Sequence, residues 1–238
     1  DFSASILGNS KSTRPFDFMS TKGIVFILVL VFFSVKTYSR NKVWKNASTL
    51  MSTDMPELEN CSRAHFYYAG ILRKKVRQTH NAQLEQEMIA HYKRSIAISD
   101  SASFSYLALG NYYCEKKDFK TGIPMLERVA SIYYSNSDGH YFLGKALVED
   151  DQLKKGIREL EVALKQSTEF PNFYYQLAMA YSKNNQFELA KQLLNRAESK
   201  FGKSEELCGV FAKVFFEESL SLFQKSEELA QKPDSVNR

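Results

Sequence analysis

The chain has 238 residues, 44% of them hydrophobic and 25% charged, with a formal net charge of +5. This composition excludes a disordered chain, and 10 Gly with 5 Pro are too few for an all-β fold built on tight turns. The mild positive charge comes without a dense Lys/Arg stripe, so nucleic acid is not an implied partner. Cys61, Cys114 and Cys208 are widely spaced and form no C-x-x-C or Cys/His cluster. They are read as inert thiols on helices, with neither a zinc site nor a thioredoxin-type motif.

Residues 1–22 are polar and Ser/Thr-rich and read as a loop or tail. The first residue, Asp1, reads as that of a processed, trimmed or partial chain. Between Lys22 and Lys36 lies a continuous apolar run of 13 residues, Gly23 to Val35. Three readings compete for it. A signal-peptide core fits the length but lacks a good cleavage site after it. A buried soluble helix would show polar residues at intervals, and none occurs before Ser34. A transmembrane helix over 23–38 fits best, reaching adequate length by snorkelling of the flanking lysines. The run is short for a lone anchor, which points to other spanning helices as packing partners. Tyr38, Arg40, Lys42, Trp44 and Lys45 then form an aromatic and basic collar within a juxtamembrane linker over 39–61. Basic residues are too evenly divided between the two sides to set the orientation.

From residue 62 the sequence is helical throughout, and a period emerges. The pairs Leu109-Gly110, Leu143-Gly144 and Leu177-Ala178 recur every 34 residues. Tyr113, Leu147 and Tyr181 follow at i+3 from the small residue. Phe119, Leu153 and Phe187 come next, then the small residues Gly122, Gly156 and Ala190, and then Leu126, Leu160 and Leu194. A helical hairpin explains the spacing, because a small residue on each helix allows close approach while large ones fill the groove between them. The polar stretches 115–118, 149–152 and 183–186 make the turns. A 34-residue period with this pattern resembles the tetratricopeptide repeat (TPR). The expected architecture is therefore all-α: a TPR-type α-solenoid of stacked hairpins over 62–230, preceded by one transmembrane helix. The domain comprises about four repeats. Upstream, Phe66 to Gly70 resembles a first helix and Met88 to Ile96 a second, with Gly70 aligned to Gly110 and residues 77–83 forming a lengthened turn. Downstream, Ala212 continues the period in one long amphipathic capping helix, the polar-faced end that a solenoid needs. Residues 231–238 read as a frayed tail.

No nucleophile, metal or phosphate-loop motif is present, and His65, His80, His91 and His140 have no convergent partner in the sequence. No catalytic residue, cofactor or metal is assigned. Function in such a stack is normally binding along the concave face lined by the first helices. The inward positions are Tyr67, Ile71 and Lys74, then Leu107, Asn111 and Cys114, then Tyr141, Lys145 and Val148, and then Tyr175, Met179 and Ser182. Of these, Tyr67, Asn111, Tyr141, Lys145, Tyr175 and Met179 are the candidate peptide groove. Tyrosines with scattered polar groups suit a protein or peptide partner, although the same rings could serve only to pack neighbouring hairpins. The Lys/Asn clamp for a terminal carboxylate is absent.

Residues 36–50, with Arg40-Asn41 and Trp44, followed by the repeats, resemble the junction in multi-spanning membrane proteins of the transmembrane and TPR O-mannosyltransferase type and their bacterial relatives. The resemblance covers residues 23–230. It implies that this chain is the non-catalytic C-terminal repeat region of a membrane glycosyltransferase, with its repeats on the extracytoplasmic side, in the periplasm or lumen. The acidic residues of that chemistry lie in early loops with no counterpart here. The reading from the residues alone is a membrane-anchored scaffold for protein or polypeptide partners. The sequons at Asn46 and Asn60 read as chance.

Overall fold

The structure, a computed structural model, describes residues 21–132 and 137–231. The polar N-terminal stretch up to residue 20 and the tail from 232 lie outside the described residues. The chain divides into two compact units, 1–57 and 58–238.

The first unit holds α1 (Thr21–Val43) and α2 (Ala47–Asp54). No Gly or Pro interrupts the run from Ile24 onward, so the helix continues through the collar to Val43 rather than giving way to linker at 39. Its 23 residues span about 34 Å, comparable with the roughly 30 Å hydrocarbon layer. Gly23–Val43 is long and apolar enough to cross a membrane. Side chains from Ile24 to Phe33 are exposed on every face, unlike those of a soluble core helix. The turn after α1 is capped by Asn46, whose Oδ1 accepts from the Thr49 N–H at 2.9 Å. A bidentate pair, Arg40 Nη1 and Nη2 to the Asp54 carboxylate at 2.6 and 3.0 Å, closes α2 back onto the end of α1.

The second unit is a stack of four helical hairpins followed by a single long helix. The hairpins are α3 (Ser62–Thr79) with α4 (Ala82–Ile98), α5 (Ser103–Glu115) with α6 (Phe119–Ile132), α7 (Ser137–Glu149) with α8 (Leu153–Gln166), and α9 (Pro171–Lys183) with α10 (Phe187–Phe201). The long helix is α11 (Glu205–Gln231). Each hairpin packs on the next, and α11 packs on α9 and α10 as a further first helix would. The 34-residue period therefore sets the architecture.

The small residues act as expected in the middle hairpins. A Cβ on Gly156 would lie 2.8 Å from the Gly144 carbonyl oxygen, and one on Gly122 would lie 2.8 Å from that of Gly110. Backbone thus meets backbone at both crossings. Leu109, Leu126, Leu160 and Leu194 are fully buried beside these contacts. The turns repeat as well. Lys117, Asp151 and Asn185, each 34 residues apart, adopt left-handed φ values of 65°, 58° and 57°. The following N–H groups of Asp118, Gln152 and Gln186 close onto the Tyr113, Leu147 and Tyr181 carbonyls at 2.8 to 2.9 Å, which satisfies the orphan carbonyls of the helix end.

Three features differ from the expectation. The additional residues of the first hairpin do not form a long turn. They extend both helices, leaving only His80 (φ 52°) and Asn81 between them. Gly70 is exposed with open space around it, whereas Ala69 is wholly buried. The buried pair Tyr68-Ala69 thus takes the place of Leu109-Gly110, and the register of α3 is shifted by one residue. Third, the outer side of α11 is not polar: Phe215, Phe216, Leu220, Leu222 and Phe223 are exposed. Ala212, whose counterparts in α7 and α9 meet a second helix, is exposed, as no second helix covers α11 among the described residues.

The first hairpin has its own polar lock. His65 Nε2 lies 2.9 Å from the Glu59 carbonyl oxygen and so donates to it. The other nitrogen, Nδ1, is then the acceptor for His91 Nδ1–H at 2.7 Å. Tyr68 sits edge-on to His91 and donates to Glu87. Burial, followed by the neighbouring His65, holds His91 below the usual histidine range.

Candidate functional site

A groove of about 850 Å³ opens between α7, α9 and the start of α11. The repeat fixes what lines it. Lys145, Met179 and Lys213 are one repeat position, each 34 residues from the next, on three successive first helices. One turn further along α9 from Met179 stands Lys183, and Val148 and Val210 contribute apolar walls. Tyr175, Gln176 and Ser204 also line the groove. Glu205 and Glu206, in the first turn of α11, form one edge, where the positive helix end favours acidic residues.

Of the sequence-predicted groove residues, the structure brings Lys145, Tyr175 and Met179 into this one cleft. Tyr175 is only 5% exposed. Its ring belongs to the core, with its hydroxyl 3.4 Å from Ser204 Oγ. Tyr141 stacks on Phe173, with centroids 4.7 Å apart. Burial, and after it the charges of Glu206 and Asp138, raises the Tyr141 phenol above its ordinary value. Both rings therefore pack into the core: Tyr175 closes the cleft from behind, and Tyr141 is not part of its lining. Asn111 faces Glu115, donating from Nδ2 at 3.1 Å. Tyr67, 57% exposed, lies outside this cleft. With the α3 register moved by one residue, Phe66 and Arg73 take the inward positions assigned to Tyr67 and Lys74.

Cys114 and Ser182 are buried, not presented to a ligand. The Cys114 thiol is pushed up to about 11, first by burial and then by Glu149 and the other acids nearby, so it carries little thiolate at neutral pH. Ser182 donates to the Glu217 carboxylate. The charged groove residues not foreseen are Glu149, Lys183, Glu205, Glu206 and Lys213. The signal for Lys213 was available in the repeat register, once α11 is treated as another first helix rather than as a cap.

The inner face divides electrostatically into two halves. Towards the N-terminal hairpins, Glu115 receives Arg73 at 3.0 Å, Arg77 at 3.4 Å and Asn111. Glu149, which lines the groove, is bound by Lys117 at 3.0 Å. Among the described residues, no group of three or more His, Cys, Asp or Glu is placed to hold a metal.

The same stack recurs in solved structures. The chain is similar to YrrB, described as a TPR protein with an unusual peptide-binding site (TM-score 0.56, 18% identity, 78% of this chain and 93% of that one). It is also similar to TTC0263, a thermophilic TPR protein of Thermus thermophilus (TM-score 0.57, 16% identity, 77% and 96%). A third likeness is to pilF of Pseudomonas aeruginosa (TM-score 0.60, 14% identity, 87% and 91%). At such identities the likeness is one of fold. No family model matches the sequence, and no curated protein matches it. The fold is that of a TPR-type α-solenoid.

Proposed function

We propose that this chain is a membrane-anchored scaffold that binds a protein or polypeptide partner in the groove of α7, α9 and α11. The observation that carries this reading is the groove itself: about 850 Å³ of concave space with the unburied side chains of Met179 and Lys145 inside it. YrrB is described as having a peptide-binding site on the same fold, which supports a peptide-like occupant. Tyr175 shapes the wall, Tyr141 packs behind it in the core, and Met179 and Lys145 make contact. A photo-crosslinking residue at Met179 should capture a partner in cells, whereas one at Lys93, outside the groove, should not. Equal labelling from both positions would sink the groove reading.

Anchoring rests on α1, whose length and uninterrupted exposed apolar surface fit a bilayer. The chain should resist alkaline extraction from membranes, and replacing Phe26, Leu28 and Leu30 together by Asp should release it. The Arg40-Asn41 and Trp44 junction favours a second reading, in which the repeats are the non-catalytic end of a multi-spanning glycosyltransferase, packed beside its other helices and facing the periplasm or lumen. Protease protection in sealed vesicles tests the orientation: digestion of the repeats from the cytoplasmic side removes that reading.

A further inference from the structure

We propose that the groove takes an acidic polypeptide segment, in which side-chain carboxylates flank an apolar residue seated on Met179. The inference rests on the groove reading above and names the chemistry of its occupant. Lys145, Lys183 and Lys213 are placed around Met179, two on the neighbouring helices at its own repeat position and one a turn along its own helix. None of the three has a hydrogen bond or ion pair among the described residues. This sets them apart from the cations elsewhere on the inner face, since Arg73 and Arg77 are neutralised by Glu115 and Lys117 by Glu149.

Glu149 decides the matter locally. It stands four residues after Lys145, where an i,i+4 pair could form, yet its carboxylate is bound to Lys117 from the preceding hairpin. Glu205 and Glu206 line the cleft from the first turn of α11, where the positive helix end already offsets part of their charge. Three ammonium groups therefore line one cleft without forming an ion pair among the described residues, so each lacks a directly bound counter-charge although Glu205 and Glu206 stand in the same lining. An acidic segment supplies that charge in a partly water-excluded setting, where a carboxylate counts for more than on an open surface. The floor selects the form of the occupant. Met179, Val148 and Val210 suit an aliphatic side chain. Glu149, Glu205 and Glu206 would repel an anion with a charge on every unit, which favours a short acidic peptide over a nucleic-acid strand.

The test uses the full chain in zwitterionic nanodiscs and fluorescence anisotropy. The probes are a labelled, C-terminally amidated peptide with two Asp or Glu on each side of one Leu, the same peptide with Lys for every acid, and a single-stranded oligonucleotide. The acidic peptide should bind about ten-fold or more tightly than the basic one, and raised salt should weaken it. Lys145→Gln, Lys183→Gln and Lys213→Gln together should lower its affinity about ten-fold or more. Lys93→Gln, Lys120→Gln and Lys154→Gln, the same change in net charge outside the groove, should leave it within about two-fold. Circular dichroism checks that both variants keep their helices. Equal binding of the two peptides, no binding of either, equal losses in the two triple variants, or preference for the oligonucleotide would each overturn the acidic-segment inference. Met179→Asp separates the two readings. If the basic peptide binds and Met179→Asp abolishes that binding, the groove stands and only the acidic preference falls. If a peptide binds and Met179→Asp changes nothing, both fall.

Discussion

The middle hairpins and the last one use the same repeat positions in different ways. In α5–α6 and α7–α8 both crossing residues are glycine, and each backbone carbonyl lies where the partner's Cβ would have to be. In α9–α10 the same positions are Ala178 and Ala190, both wholly buried, and the two helices approach less closely. Tyr181, three residues after Ala178, reaches back to the preceding hairpin and donates to Glu161 of α8 at 2.6 Å. Close backbone approach over paired glycines is thus one solution to the hairpin and a crossing over buried alanines another. Each commits its own residues, so the two are not interchangeable site by site.

The largest effect should come from forcing the last hairpin's solution onto a middle one. Gly156→Ala places a methyl against the Gly144 carbonyl and the Val148 N–H, both backbone. It should destabilise the protein by about 1–3 kcal/mol in urea unfolding; a neutral result would mean that the middle hairpins can open to the wider spacing. The reverse change, Ala190→Gly, meets no clash and should cost about 1 kcal/mol through lost burial and chain entropy. The first hairpin is fastened differently again and should show it in its pH dependence. His91 is held below its unfolded value, so the unfolded chain binds the extra proton. That contribution is complete above the ordinary histidine value of about 6.5 and is lost as pH falls below it through the depressed folded value. Replacing His91 by Gln should flatten stability across this window, whereas Gly156→Ala should shift the whole curve without changing its slope. The smallest effect concerns the turns. Asp151→Gly relieves a left-handed non-glycine residue and should add a few tenths to about 1 kcal/mol. The same change at Asn185 should add less, because asparagine tolerates that conformation better.

Much of this architecture is legible in the sequence because the repeat states each position several times. Gly110, Gly144 and Ala178, with their partners 12 residues later, declare the hairpin by spacing alone. The first hairpin is less legible. Gly70 attracts the alignment because glycine is the expected residue, but a helix face is chosen by burial, and Tyr68 with Ala69 wins. One residue of slip turns a helix by about 100°, enough to put Tyr67 outside the groove. The site is half legible for a related reason. Lys145 and Met179 fall on the inward face, whereas Lys213 is hidden in a helix that reads as a cap. That the three lysines lack partners cannot be read from sequence at all. It depends on Glu149 pairing across to Lys117 of the previous hairpin instead of along its own helix.

The position of α11 has a consequence for how an occupant would be held. In a linear array each element is secured by its neighbours, so the terminal one, fastened on a single side, frays first. Among the described residues α11 is held chiefly by α9 and α10, and it is also a wall of the groove, carrying Gly209 and Lys213. The partner site is therefore built partly from a helix that, among the described residues, is fastened on one side. A ligand bridging α7 to α11 would act as a zipper, and amide exchange along Leu207 to Val214 should slow on binding by more than anywhere else in the stack.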